Sequence, residues 1–115
     1  MLFLEYPPCS TCKKAKQYLL DRGLAFEARH IREQNPSYEE LRDWQARSGL
    51  PLRRFFNTSG QLYQSLRLKD RLPGMSEEEQ LRLLASDGML VRRPIVVRDD
   101  LVLVGFRPGE WDEKL

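Results

Sequence analysis

The chain has 115 residues, of which 41% are hydrophobic and 31% charged, and its 19 basic and 17 acidic residues leave a formal net charge of +2. This length and composition predict a globular protein that buries its own core. The balanced charge argues against non-specific electrostatic binding to nucleic acid or to an anionic membrane. No apolar run approaches the roughly 20 residues that span a bilayer, and the first residues lack a signal-peptide pattern, so the expected location is the cytoplasm.

The first 35 residues predict a strand, a helix and a second strand. The run MLFLEY, residues 1–6, is short, apolar and β-prone. Apolar residues then recur at helical spacing, at Ala15, Tyr18 and Leu19, and Gly23 stands where a helix C-cap belongs. LAFEARHI, residues 24–31, alternates roughly and predicts a second strand. Such a β-α-β unit is parallel and right-handed by default.

Residues 36–88 predict several short helices and no strand. Two capping boxes mark helix starts, each a serine with a glutamate three residues later: Ser37 with Glu40, and Ser76 with Glu79. Gly49 and Gly88 stand where terminators of these two helices belong. Between them, LPLRRFFNTSG and QLYQSLRL predict two further short helices.

The last part of the chain predicts a hairpin and a closing helix. RPIVV and LVLVGF read as strands around a charged turn, and Pro108 begins the helix. The order β-α-β … β-β-α matches the thioredoxin-like fold of the α/β class, with a mixed four-stranded sheet. Residues 1–35 and 89–115 would form its core, and residues 36–88 an inserted helical subdomain. Since the edges of the insert lack linker composition, we expect residues 1–115 to form a single domain.

The two cysteines of the chain, Cys9 and Cys12, form a C-x-x-C motif. Structural zinc takes four nitrogen or sulfur ligands, and only His30 adds to the two thiols, so the ligand count argues against zinc and no bound cofactor is expected. Simple burial of a small hydrophobic side chain is an alternative for either thiol. In the cytoplasm such a motif is more often catalytic or redox-sensing than structural.

The two thiols are expected to differ. Cys9 stands between a strand and the first turn of a helix, where free backbone N–H groups and the helix dipole stabilise an anion. Its pKa should fall below the free value of about 8.5, and Lys13, Lys14 and Lys16 should add positive potential. Cys12 lies on the core-facing side of the same helix, so its pKa should be higher. Cys9 is thus the predicted attacking thiol, and Cys12 the thiol that resolves a mixed disulfide.

Two further stretches, LVRRPIVV and GFRPGEW, carry arginines toward the same end of the sheet. Arg92 and Arg93 are neighbours at a strand edge, so they should point to opposite faces, and at most one should face Cys9. Arg107 follows the second strand of the hairpin, so it can lie at the same end of the sheet as Cys9. Two guanidinium groups over a thiolate would bind an oxyanion or a carboxylate. The alternative is that these arginines lie on the surface, paired with acidic residues.

Together these residues resemble the ArsC/Spx family of thioredoxin-like proteins over nearly the whole chain. The resemblance rests on YPPCSTCKKA, on the helical insert, and on LVRRPIVV and VGFRPGEW. It is strongest to a branch of arsenate reductase-related proteins. In thioredoxin-like proteins a cis-proline at this strand start faces the reactive cysteine. The resemblance therefore implies a cis Arg93–Pro94 bond, with Pro94 facing Cys9.

One function implied by the resemblance is glutaredoxin-linked arsenate reduction. In those reductases a helix-start cysteine attacks arsenate, and three arginines hold the oxyanion. The match places the cysteine at Cys9 and two of the arginines at Arg93 and Arg107. The third position falls on Asn57. Arg53 and Arg54 are alternative candidates, but neither stands at the matching position.

Two more departures separate the chain from those reductases. The residue four before the cysteine, often histidine in that branch, is Glu5, whose charge would oppose a nearby thiolate. The reductases also generally lack the second cysteine. These departures point away from arsenate as the substrate.

The other implied function is that of the Spx-type redox-sensing regulators, which bind the C-terminal domain of the RNA polymerase α subunit. Their C-x-x-C switch matches Cys9 and Cys12. Their switch arginine matches Arg92 or Arg93, and their polymerase-contacting glycine matches Gly49, which a helix terminator also explains.

The sequence thus predicts an ArsC-like thiol–disulfide oxidoreductase in which Cys9, Cys12, Arg93 and Arg107 are catalytic. Glutathione, glutaredoxin or thioredoxin is the electron donor that the resemblance implies. The alternative is an Spx-like regulator that binds RNA polymerase α and catalyses no reaction. Direct nucleic-acid binding and membrane attachment are not expected.

Overall fold

The computed structural model describes residues 1–115, which fold around a mixed four-stranded sheet. The strands are β1 (Leu2–Glu5), β2 (Glu27–His30), β3 (Ile95–Val97) and β4 (Val102–Val104), in the spatial order β2-β1-β3-β4. β1 pairs parallel with β2 and antiparallel with β3, and β3 and β4 form an antiparallel hairpin. The predicted α/β thioredoxin-like fold is confirmed.

Helices cover both faces of the sheet. They are α1 (Ser10–Asp21), α2 (Tyr38–Ser48), α3 (Gln61–Ser65), α4 (Leu68–Arg71), α5 (Glu77–Ser86) and α6 (Pro108–Lys114). Short 3₁₀ turns lie at Leu52–Phe55, Leu72–Gly74 and Gly88–Leu90. Both predicted capping boxes form, at the starts of α2 and α5. None of the helices combines the length and the apolar character needed to cross a membrane.

The two faces of the sheet carry two separate cores, because side chains alternate along each strand. One face packs against α1 and α6, through Phe3, Ala15, Tyr18, Leu19, Val96, Leu103 and Trp111. The other face packs against the helices of residues 36–88, through a larger core that includes Leu4, Ile31, Trp44, Phe55, Phe56, Leu84 and Ile95. The sheet and the helical segment therefore bury one another.

Glycine and one arginine explain where the helices end. Gly49 ends α2 in the left-handed conformation, with φ of 69°, as predicted. Gly88 does not end α5, which stops at Ser86. Glycine is required at position 88 because any larger residue would clash: a Cβ atom there would lie 1.9 Å from the carbonyl oxygen of Ile31. The helix predicted over QLYQSLRL ends earlier, at Ser65, and α4 begins at Leu68, because Arg67 between them adopts a left-handed conformation with φ of 53°.

Candidate active site

Cys9 is the N-cap residue of α1, at the carboxyl end of β1. The chain leaves β1 through two prolines, and the N–H of Cys9 donates a hydrogen bond to the carbonyl oxygen of Tyr6 at 2.8 Å. The backbone of Cys9 is extended, and its carbonyl oxygen accepts the N–H of Lys13 at 3.0 Å. The thiol therefore stands at the free N–H groups of the first helical turn.

The pKa of the Cys9 thiol is lowered from its ordinary value. Burial alone raises this pKa, but hydrogen bonds from the N–H and the S–H of Cys12 and from the N–H of Thr11 oppose it, as does the charge of Arg93. Together these contacts outweigh burial. The helix start and one arginine thus favour a Cys9 thiolate.

The three lysines of α1 contribute less to this site than expected. Lys13 and Lys14 are exposed, and none of the lysines is among the groups that shift the pKa of Cys9. Lys16 forms an ion pair with the buried carboxylate of Glu5, with 3.1 Å between Nζ and Oε2. This pair compensates the negative charge of Glu5, so the expected opposition of Glu5 to the thiolate is weakened.

Cys12 is fully buried, on the core side of the first turn of α1. Burial raises the pKa of its thiol to about 12, assisted by the charge and the hydrogen bond of Cys9. The N–H of Tyr6 donates to Sγ of Cys12 at 3.5 Å and opposes this shift only in part. Both thiols are free. Their pKa values differ in the direction predicted from the sequence.

Cys9 opens into a cavity of about 340 Å³, here called the Cys9 cavity. Its walls come from the start of α1, from the loop 57–60, and from the backbone before β3 and after β4. The other lining residues are Thr11, Asn57, Thr58, Ser59, Gly60, Arg92, Arg93, Gly105 and Phe106. None of them is acidic and two are arginines, so the cavity suits an anionic ligand.

Both arginines of the RRP motif line the Cys9 cavity, but Arg93 is the one whose charge lowers the pKa of the Cys9 thiol. Strand alternation does not apply to them, because β3 begins only at Ile95. The N–H of Arg92 instead donates to the carbonyl oxygen of Phe55 at 2.8 Å. The Arg93–Pro94 peptide bond is cis, the isomer expected from the sequence.

Arg93 is held in place by the backbone around it. Its Nη1 donates to the carbonyl oxygens of Met89 at 3.1 Å and Val91 at 3.3 Å. Its guanidinium carbon lies 5.3 Å from the centroid of the Tyr6 ring. These contacts fix a positive charge near Cys9 without neutralising it.

Arg107 does not line the Cys9 cavity. It is exposed, at the N-cap of α6. Burial lowers the pKa of Arg92, and the charges of Arg54 and Arg107 lower it further. Arg107 and Arg54 therefore act on Arg92, and Arg107 is not among the charges that lower the pKa of Cys9.

The loop 57–60 forms a wall of the site that the sequence located only in part. Its run NTSG predicted a helix break, and the resemblance placed an oxyanion-binding position at Asn57, but nothing predicted that Thr58, Ser59 and Gly60 would line the same cavity. The loop is tied back at several points: the N–H of Asn57 donates to the carbonyl oxygen of Leu90 at 2.8 Å, and the hydroxyl of Ser59 donates to Oδ1 of Asn57 at 3.2 Å. The Asn57 side chain packs closely over Gly60, where a Cβ atom would lie 2.7 Å from Nδ2 of Asn57.

Two other residues singled out from the sequence lie outside the cavity walls. Gly49 is exposed at the end of α2. His30 caps the turn after β2, where its Nδ1 accepts the N–H groups of Arg32 at 3.2 Å and Glu33 at 3.1 Å. No group of three or more His, Cys, Asp or Glu side chains is placed to hold a metal ion.

The chain is similar to curated bacterial proteins over nearly all of its length. The uncharacterised Bacillus subtilis protein YusI is 50% identical over 113 residues, which are 98% of this chain and 96% of YusI. The B. subtilis regulatory protein MgsR is 31% identical, over 96% of this chain and 86% of MgsR. The global transcriptional regulator Spx of Enterococcus faecalis is 28% identical, over 90% of this chain and 77% of Spx.

Solved structures share the fold closely. An ArsC family related protein from Bacteroides fragilis superposes with a TM-score of 0.95 at 53% identity, over 97% of this chain and 94% of its own. A possible arsenate reductase from Streptococcus mutans gives a TM-score of 0.90 at 43% identity, over 99% of this chain and 97% of its own. The sequence model of the ArsC family matches residues 4–114. The chain therefore belongs to the ArsC family.

Proposed function

We propose that the protein is a thiol–disulfide oxidoreductase in which Cys9 is the nucleophile and Cys12 the resolving thiol. The proposal rests on the difference in pKa and accessibility between these two thiols. Cys9 has a lowered pKa and opens into a cavity, whereas Cys12 is buried with a pKa of about 12. Since the thiolate is the form that attacks, Cys9 is the reactive sulfur near neutral pH.

In the first step the Cys9 thiolate attacks one sulfur of a disulfide substrate. A bond forms between Cys9 and that sulfur, the substrate S–S bond breaks, and the other sulfur leaves as a thiolate. The charge of Arg93 favours the attacking thiolate before the step. Arg92, in the cavity wall, is available to an anionic group of the substrate or to the leaving thiolate.

In the second step Cys12 attacks Cys9 and displaces the remaining substrate sulfur, which takes up the Cys12 proton. A Cys9–Cys12 disulfide forms, and the substrate has gained two electrons. Besides burial, two causes raise the pKa of Cys12: the charge of the Cys9 thiolate and its hydrogen bond. Both disappear once Cys9 is in a mixed disulfide. The pKa of Cys12 therefore falls when its thiolate is needed.

A thiol donor then regenerates the dithiol by the same exchange, and two donor thiols become one disulfide. Members of the ArsC family use thiol electron donors. Glutathione, glutaredoxin and thioredoxin are the donors we propose to test. Arsenate is not the substrate we propose, because Asn57 stands in place of the third arginine and Cys12 supplies an internal resolving thiol.

A Cys12→Ser variant tests this function. It can form a mixed disulfide at Cys9 but cannot resolve it, so incubation with hydroxyethyl disulfide should add one hydroxyethylthiol group to Cys9, measured by intact mass and peptide mapping. Cys9→Ser, with Cys12 intact, is the matched control and should gain no such group. If Cys12→Ser remains unmodified in excess disulfide, the protein is not an oxidoreductase of this kind.

A second candidate function is redox-dependent binding to the C-terminal domain of the RNA polymerase α subunit. Its support is the similarity to the regulators MgsR and Spx. In this function the Cys9–Cys12 disulfide changes a protein interface, and the exposed Gly49 contacts the polymerase. A pull-down with oxidised and reduced protein tests it, with Gly49→Arg to block the contact and Gly49→Asn as a control that tolerates the left-handed backbone. Absence of binding in both redox states would exclude it.

A further inference from the structure

Two more cavities continue from the Cys9 cavity across the helical segment. The first, of about 380 Å³, shares Thr58 with the Cys9 cavity. The second, of about 440 Å³, shares Tyr63 and Lys69 with the first and extends to Arg53. Because neighbouring cavities share wall residues, the two lie side by side on the surface, next to the Cys9 cavity. We call these two cavities together the insert groove; Thr58, Tyr63, Arg67, Lys69 and Arg53 are among its wall residues.

The insert groove carries an excess of positive charge. Residues 51–75 contain five basic residues and one acidic residue: Arg53, Arg54, Arg67, Lys69, Arg71 and Asp70. Arg53, Arg67 and Lys69 are exposed and line the groove. Asp70 and Glu77 are the acidic residues in its walls. Cations therefore outnumber anions along the groove.

These cations form no ion pairs within the molecule. All ion pairs of the molecule lie outside residues 51–75. Elsewhere the surface is mixed: Arg29 is paired with Glu40 and Arg98 with Asp100, whereas other basic side chains, such as Arg32 and Arg42, are also outside any ion pair. Arg92 and Arg93 in the Cys9 cavity are also outside any ion pair. The unpaired positive charge thus continues from the insert groove to the reactive thiol.

Arg67 adds an independent observation. It is the only non-glycine residue of the chain with a positive φ, at 53°. Glycine or asparagine adopts this conformation with less strain than arginine. Strained backbone of this kind is concentrated at functional positions. Here the strained residue places a long cationic side chain in the groove wall.

We infer that the insert groove holds an acidic polypeptide segment of a protein whose disulfide Cys9 attacks. This inference rests on the proposed oxidoreductase function. A small disulfide would occupy the Cys9 cavity alone and leave the insert groove empty. An extended polypeptide segment next to the substrate cysteine would instead run along the insert groove. A polypeptide can set acidic side chains against Arg53, Arg67 and Lys69 and neutral ones against Asp70. The uniform charge of a nucleic-acid backbone would meet the acidic walls, so polypeptide is the better match.

The test uses the full chain with Cys12→Ser, so that the reaction stops at the mixed disulfide. Two symmetric peptide disulfides are compared, identical except that glutamates flank the cysteine in one and glutamines in the other. The glutamate peptide should react faster at low salt, on the order of tenfold, because opposite charges steer association. Salt should reduce this preference.

Charge reversal locates the effect. Arg67→Glu combined with Lys69→Glu should abolish the preference for the glutamate peptide, and Lys69→Glu alone should reduce it. Arg32→Glu combined with Arg42→Glu makes the same change in net charge at exposed positions outside the groove, and should keep most of the preference. Circular dichroism checks that each variant is folded.

Three results would overturn the inference. They are equal rates for the two peptides, equal losses in both double variants, or a single-stranded oligonucleotide that slows the reaction of the glutamate peptide down to the rate of the glutamine peptide at near-physiological salt. Hydroxyethyl disulfide separates this failure from that of the proposed function. If it fails to modify Cys9, the oxidoreductase proposal falls. If it modifies Cys9 while the peptides react equally, only the groove proposal falls.

Discussion

The side chain of Arg92 lies across the backbone of Gly105, so that a Cβ atom at position 105 would come within 2.8 Å of Nε of Arg92. Gly105 has a φ of 80° and is held on both sides. Its N–H donates to the carbonyl oxygen of Pro94 at 2.8 Å, and its carbonyl oxygen accepts the indole N–H of Trp111 at 3.3 Å. This glycine therefore connects the arginine of the Cys9 cavity to the cis-proline and to α6.

Gly105→Ala should destabilise the protein by about 1–2 kcal/mol, because alanine is strained at this φ and meets Arg92. The same change should slow the reaction of Cys9 with an anionic disulfide, since Arg92 must move. Urea unfolding and the rate of mixed-disulfide formation measure the two effects. Gly109→Ala, in open space within α6, is the matched control and should be neutral or slightly stabilising. Equal stability of Gly105→Ala and the wild type would contradict this account.

Arg93→Gln should raise the pKa of the Cys9 thiol, because the charge of Arg93 lowers it in the wild type. The rate of alkylation of Cys9 as a function of pH measures this pKa. Lys14→Gln removes an equal charge from an exposed position on α1 and should leave the pKa unchanged. A larger shift with Lys14→Gln than with Arg93→Gln would show that the lysines control the thiolate after all.

The Glu40 carboxylate should stabilise the fold in a pH-dependent way. It accepts two hydrogen bonds from Arg29, at 2.6 and 2.9 Å, and one from the N–H of Ser37 at 3.0 Å. The hydrogen bond from Arg29 is the main cause that lowers the pKa of Glu40. Because the folded pKa is lowered, this stabilisation is complete above the unfolded value of about 4.3 and is lost as the pH falls through the folded value.

Glu40→Gln should therefore cost about 1 kcal/mol near pH 7, and the difference from the wild type should shrink below pH 4. Urea unfolding at both pH values measures this change. Glu78→Gln breaks the exposed pair with Arg82 and should change the stability by less than about 0.5 kcal/mol. A Glu40→Gln effect that persists undiminished at acidic pH would contradict the assignment to the carboxylate.

Local signals predicted the order of the elements well. The serine–glutamate pairs at Ser37 and Ser76 start helices through contacts within one turn, so sequence alone located them. Gly49 likewise ends α2 by its own conformation. Gly88 was misread because its role depends on the approach of Ile31 from a distant part of the chain, which leaves no local trace.

The same distinction explains the site. The lowered pKa of Cys9 follows from its place at the start of α1, which the sequence shows. The cavity wall at residues 57–60, and the positions of Arg92 and Arg107, depend on how the insert and α6 pack against the sheet. Exposed lysine side chains are free to turn toward water. Lysines close to Cys9 in the sequence therefore did not place their charges close to its thiol.

The central claim is that the two thiols of the motif have unequal acidity and unequal access. The most direct measurement is alkylation of the reduced protein with iodoacetamide from pH 5 to 11, with each cysteine quantified by peptide mass spectrometry. Cys9 should react with a pKa below the free value of about 8.5. Cys12 should stay largely unmodified until the pH approaches its pKa of about 12. Equal rates at the two cysteines, or faster reaction at Cys12, would contradict it.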